Sequence, residues 1–158
     1  MPRSGKLIIT ALLTVGLATA AFAGVAAAGE LSKKQYLKQG NAICKDANDQ
    51  IDAIFNEAFS GFDQNEEPSP DDPAVQAAIE DAVSQAAPIF RQALDDIDDL
   101  GGPASLEKKV HKLTDEYRAV VDDVEADPVA VLTSDEDPFA KTDKKATKLG
   151  LKECASDD

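Results

Sequence analysis

Residues 32–62 read SKKQYLKQGNAICKDANDQIDAIFNEAFSGF, and their spacing decides the fold class. Apolar or small residues recur at positions 36, 40, 43, 47, 51, 54, 58 and 62. Steps of three and four keep one face of an α-helix apolar, because the helix turns once every ~3.6 residues. No proline interrupts the run. Ser32 with Gln35 makes a capping box, and Leu31 with Tyr36 is placed as its hydrophobic staple. The run ends in GFDQNEEPSPDDP, residues 61–73, which is polar, proline-rich and therefore a loop.

The same period continues beyond the loop. Asp72 and Pro73 open a second helix as cap and first-position proline. Its stripe is Val75, Ile79, Ala82, Ala86, Ile89, Ala93, Ile97 and Leu100. Pro88 lies inside it and predicts a kink or a break. Gly101 and Gly102 stop it. A third helix starts at Pro103, carries Leu106, Val110, Leu113, Tyr117, Val120 and Val124, and ends at Asp127 and Pro128. The stretch VAVLTSDED, 129–137, reads as an extra helical turn or a loop. A fourth helix opens at Asp137 and Pro138 and carries Phe139, Ala146, Leu149, Gly150 and Cys154. No stretch alternates with period two for long enough to make a strand, and no internal repeat is found. Short and moderate loops make neighbouring helices antiparallel. The expected fold is all-α: residues 29–158 form a single antiparallel up-down-up-down four-helix bundle.

Ahead of that domain, Arg3 and Lys6 precede a stretch without charge from Leu7 to Ala28. Small residues then follow at signal-peptidase spacing, so residues 1–28 read as an export signal peptide. A stretch of this length also spans a bilayer, so an uncleaved membrane anchor is the alternative. No cysteine sits just after the apolar run, which argues against a lipid anchor there. Without Arg3 and Lys6 the formal charge moves from −14 to −16. Such a chain repels nucleic acid and anionic lipid, leaving the N-terminal segment as its only membrane contact.

The chain has two cysteines, Cys44 and Cys154. Cys44 lies early in the first helix and Cys154 at the end of the fourth, which antiparallel packing brings to one end of the bundle. In an oxidising compartment the two are expected to pair. A disulfide needs Cα atoms within about 7 Å, whereas packed helix axes lie about 8–10 Å apart. Gly40 and Gly150 each precede a cysteine by four residues and share its face, where a side chain would hinder the close approach. A redox or metal-binding thiol is the alternative, without a C-x-x-C or nearby histidine to support it.

The segments YLKQGNAICKDAND, GGPASLEKKV and KLGLKECA together resemble a loose family of small exported helical proteins from actinobacteria. In that family a cysteine in an AN-x-I-C context pairs with one in a C-terminal GL-x-x-C; here glycine, Gly40, stands where the pattern has alanine. The resemblance implies a helical fold and a Cys44–Cys154 bridge, and carries no activity with it.

Few residues suggest chemistry. His111 is the only histidine, flanked at four residues by Glu107 and Asp115. It lies one position off the core stripe and lacks the second Glu-x-x-His of a di-iron bundle, so the triplet reads as a solvated, ion-paired face. Tyr36 and Tyr117 could serve as haem ligands, but both fall on apolar stripes and read as core. Asp63, Asn65 and Glu67 open like a calcium loop. Pro68 then takes the glycine position and Ala74 that of the bidentate glutamate, which rules out a formal EF-hand. No nucleophile motif is present, no catalytic residue is assigned and no cofactor is expected.

Charge is laid out unevenly. No Lys or Arg occurs between Lys45 and Arg91, or between Arg118 and Lys141. The loops around 63–72 and 122–137 should share one acidic end, with Asp123, Asp127, Asp135 and Asp137 as candidate ligands for a divalent ion such as calcium. The opposite end collects lysines, which should offset Asp95, Asp96, Asp98 and Asp99 near the C-terminus of the second helix. Lys141, Lys145, Lys148 and Lys152 make a basic, solvated stripe on the fourth. The expected function is that of an exported, non-enzymatic helical module. It would bind an unidentified protein or small ligand in the cell envelope or outside the cell, with the acidic end as docking surface. The alternative is a carrier of a small ligand, haem or metal within the bundle, which should present a cavity lined by Tyr36, Phe55, Phe90 or Tyr117.

Overall fold

The computed structural model describes residues 30–62, 69–134 and 136–155. The expected export segment at 1–28 lies outside these residues, as do Asp63, Asn65, Glu67 and Asp135. Five α-helices follow one another: α1 (Lys33–Phe59), α2 (Pro73–Asp98), α3 (Ala104–Ala126), α4 (Pro128–Leu132) and α5 (Ala140–Leu149). A 3-10 turn, Lys152–Cys154, closes the described chain. Among the described residues there is no strand. No helix among them is long and apolar enough to cross a membrane.

Local chemistry places most of the boundaries. Ser32 Oγ accepts from the Gln35 amide, and Gln35 Oε1 accepts from the Ser32 amide, completing the capping box. Asp72 Oδ1 accepts from the Ala74 amide at 2.8 Å, ahead of Pro73 at the first position of α2. Pro88 stays inside one continuous helix, so of the expected kink or break the break does not occur. Pro88 and Ser84 are both exposed, and water can satisfy the carbonyl that the proline leaves without an amide partner. The stretch after α3 resolves as the short helix α4, capped by Asp127, which accepts from the Ala130 amide.

The C-terminal region departs most from expectation. The fourth helix was predicted to run from Asp137 to Cys154, but α5 starts at Ala140 and ends at Leu149. Gly150 adopts φ +98°, a left-handed conformation that side chains strain against, and ends the helix. Leu151 N donates to the Ala146 carbonyl at 3.0 Å and Gly150 N to that of Thr147 at 3.1 Å, a Schellman motif. Gly150 is therefore a helix stop rather than a mid-helix spacer. Cys154 sits beyond the helix, in the 3-10 turn. Gly40 does mark a close approach: a Cβ there would lie 2.7 Å from Leu151 Cδ2. Cys44 and Cys154 form the disulfide, with Cα atoms 4.9 Å apart.

Helix α1 packs along α2, α2 along α3, and α5 on α3, while the 3-10 turn returns to α1. The core forms two clusters. One gathers Tyr36, Cys44, Leu94, Ile97, Leu106, Val110, Leu113, Tyr117, Ala146 and Leu151 around the disulfide. The other gathers Val75, Ile79, Val83 and Val124 with Phe55, Phe59, Phe62, Val129 and Val131 near α4. Phe139 packs against both.

Candidate functional site: an apolar cleft with an acidic end

The gap between the clusters follows from what packs on α1: α2 lies along it and the 3-10 turn returns to it, while α5 packs on α3. At about 1.5 Å rise per residue, the 27 residues of α1 extend about 40 Å, far beyond the reach of that three-residue turn. The second half of α1 is left partly uncovered. A cleft of about 570 Å³ opens there. Its floor is Val83, Ala86, Ala87 and Phe90 of α2 with Tyr117, Val121 and Val124 of α3. One wall is α1, through Lys45, Asn48, Asp49, Ile51, Asp52 and Phe55; the other is Leu132, Phe139 and Asp143. Glu153, Cys154 and Ala155 close one end. The volume falls within the ~300–1,000 Å³ usual for small-molecule sites.

Aromatic packing shapes the middle of the cleft. Phe90 meets the Tyr117 ring edge-on, with centroids 5.6 Å apart, and lies 5.9 Å from Phe139. Tyr117 is 2% exposed, and its hydroxyl lies 2.7 Å from Asp143 Oδ1 and 2.8 Å from the Cys154 carbonyl oxygen. Burial, followed by the hydrogen bond to Asp143, pushes the Tyr117 phenol far above its ordinary pKa. It stays protonated at any physiological pH and serves as a fixed strut between α3, α5 and the 3-10 turn. Leu132, at 36% exposure, is the large apolar residue most open to solvent among those described.

Two asparagines hold the closed end. Asn41 Nδ2 donates to the Leu37 carbonyl at 2.7 Å and to that of Gly150 at 2.9 Å, while Asn41 Oδ1 accepts from the Glu153 amide at 2.9 Å. Asn48 Nδ2 donates to the Glu153 carbonyl at 2.8 Å. The 3-10 turn is thus tied to α1 by side-chain hydrogen bonds as well as by the disulfide. The sequence reading missed Asn41, Asn48 and Asp143. The signal for Asn41 was slight: a weak helix former on a half-buried face three residues before Cys44.

The cleft's charged residues gather at that end. Lys45 Nζ lies 2.7 Å from both carboxylate oxygens of Asp49. That pair raises the Lys45 pKa, and the charges of Glu153 and Asp46 raise it further. Asp52, one turn beyond Asp49, faces the same space. Four carboxylates therefore line the cleft against one ammonium.

Of the four residues expected to cage the aromatic cavity, Phe55, Phe90 and Tyr117 line the cleft. Tyr36 does not: it is 1% exposed and packed in the cluster around the disulfide. His111 pairs across helices rather than with Glu107 or Asp115. Its Nδ1 is 2.8 Å from Asp98 Oδ1, and Asp98 also accepts from Arg118 and Thr114. Arg118 and His111, not lysines, thus answer Asp95 and Asp98 at the end of α2. Glu107 turns instead to the Gly102 amide, 2.7 Å away.

Three of the four divalent-ion candidates lie among the described residues. Asp123 is exposed on α3, Asp127 caps α4, and Asp137 accepts from the Phe139 amide at 2.8 Å. Among the described residues no three His, Cys, Asp or Glu side chains come together as a metal site. Nearby, Arg91 bridges Asp122 and Glu125, and this contact holds the Glu125 carboxyl below its ordinary pKa. Lys145 on α5 pairs with Glu116 of α3.

Comparison with known proteins adds no relative to this geometry: no family model matches the chain, and no curated protein or solved structure matches it either.

Proposed function

We propose that the protein is an exported, non-enzymatic binding module, and that the cleft between α1 and α4–α5 is its binding site. The observation that carries this reading is a cleft of about 570 Å³ with Phe55, Phe90, Phe139, Val83, Val121 and Leu132 on its walls. Apolar surface open to water gains free energy when a ligand covers it, by about 25 cal/mol per Å². The disulfide supports a compartment that is oxidising, and residues 1–28 supply the export signal or anchor in this reading. The same reading takes α1, α2, α3 and α5 as the four positions of an up-down-up-down bundle whose last member is short. In its support, Leu31 N donates to Gly101 O, and Arg91 reaches Asp122 while Asp98 meets Thr114. Membership of the actinobacterial family is part of the same reading and rests on the two cysteine motifs and the GGPASLEKKV segment. The acidic end is the weaker docking surface, since Arg91 and the two capping aspartates account for several of its carboxylates.

The test is binding of N-phenyl-1-naphthylamine, an uncharged dye that fluoresces in apolar sites. The disulfide-bonded protein should bind it saturably. Ile51→Asp and Leu132→Asp, at partly exposed lining positions, should each weaken binding about tenfold with the melting temperature little changed. No saturable binding, or binding indifferent to both substitutions, would remove the cleft as the site.

A further inference from the structure

We propose that the ligand is an amphiphilic cation: an apolar body carrying a protonated or quaternary amine. The inference rests on the cleft being the binding site and concerns which chemical class it selects.

The cleft is polarised along its length. At the α4 end its lining is Phe55, Val83, Val124 and Leu132, continuous with the apolar cluster there. At the 3-10 turn it is Lys45, Asn48, Asp49, Asp52, Asp143 and Glu153. The two ends share one face of α1: positions 45, 49, 52 and 55 advance along it in steps of three or four, with 48 beside 49, so polar and apolar lining follow in register. A ligand that fills this space must be apolar at one end and able to meet carboxylates at the other.

The sign of the charge follows from what the acids already hold. Asp49 is committed to Lys45, and Asp143 stands beside the Tyr117 hydroxyl. Asp52 and Glu153 are the remaining carboxylates of the lining, both exposed, with Glu153 also close enough to act on Lys45. Lys45 is the lone basic residue of the lining, and Asp49 with Glu153 already surrounds it. An anionic head group would meet four carboxylates, whereas a cationic one would replace water around Asp52 and Glu153 while its body covers the phenylalanines. The chain's formal charge of −14 adds a long-range field of the same sign.

Competition against the bound dye tests the class directly. Decyltrimethylammonium, decyl maltoside and decyl sulfate share one alkyl chain and differ in head-group charge; each is titrated below its micelle concentration. The cation should displace the dye at about one-tenth the concentration the sulfate needs, with the maltoside between them. High salt should shrink that preference, because exposed charges are screened. Asp52→Asn with Glu153→Gln should cut the preference to below about threefold. Equal displacement by all three, a preference for the sulfate, or an undiminished preference in the double variant would overturn the cationic assignment. In each of those results the dye still binds, so the cleft survives as a site; absence of dye binding instead removes the cleft itself.

Discussion

Removing the disulfide is the perturbation whose size the structure sets most directly. Cys44 and Cys154 are 110 residues apart in sequence, so the bridge closes nearly the whole described chain into one loop. In the chain-entropy account, a loop of about 110 residues costs the unfolded state about 5 kcal/mol of conformational freedom, and native bridges deliver about 2–5. The native state should lose less. With Cys44→Ala and Cys154→Ala, the 3-10 turn keeps its hydrogen bonds to Asn41 and Asn48, and Leu151 stays buried against Gly40. The effect should therefore come mainly from a freer unfolded chain. For a domain of this size 1 kcal/mol corresponds to about 4 °C, so the melting midpoint should fall by about 8–20 °C with the helical signal at low temperature unchanged. Far-ultraviolet circular dichroism during heating measures both quantities. Wild-type protein melted in excess reductant should coincide with the double variant. A fall smaller than about 4 °C would refute the reasoning, because it would mean that the unfolded chain is scarcely constrained by the bridge. Loss of helicity at low temperature would refute it differently, by showing that the asparagine ties do not hold the turn alone.

Two further outcomes follow from the same end of the molecule. Asn41→Ala removes three side-chain hydrogen bonds and should cost about 1–3 kcal/mol, read as a lower urea midpoint at unchanged slope; Asn41→Asp, whose carboxylate would face the Leu37 and Gly150 carbonyls, should do no better. Burial, then the charges of Glu107 and Asp98, pushes the Tyr36 phenol from its ordinary 10.0 to about 12. Above pH 10 the unfolded chain gives up this proton while the folded one keeps it, so stability present below pH 10 is lost as the pH rises towards 12. Tyr36→Phe should flatten that alkaline decline in denaturant titrations at fixed pH, leaving the contribution of Tyr117, whose pKa is raised in the same direction.

What could be read from the sequence was local in origin. The 36–40–47 stripe of α1, the capping box at Ser32, the aspartate–proline start of α2 and the stripe of α3 all involve residues within four positions of one another. Such groups meet as soon as the backbone is helical, whatever packs against them. Pairing of the cysteines was also legible, since the expected oxidising compartment and the expected antiparallel order left few alternatives, and the two do form a disulfide. The end of the last helix was not. Leu149, Gly150 and Leu151 continue an acceptable helical pattern, and only the competition between one more turn and a left-handed glycine with Leu151 buried at 1% decides the stop. The partner of His111 was equally hidden, because Asp98 lies thirteen positions earlier and reaches it only across two packed helices.

The sequence by itself determined that the chain is helical, where the first three helices begin, which faces are apolar, and how strongly acidic the molecule is. The tertiary structure alone decided that Phe55, Phe90, Phe139 and Leu132 border a cleft instead of a filled core. Hydrophobic pattern specifies which side of a helix avoids water. Whether that side is covered depends on what packs against it, and here, beyond α2, only a three-residue 3-10 turn returns to the 27-residue α1.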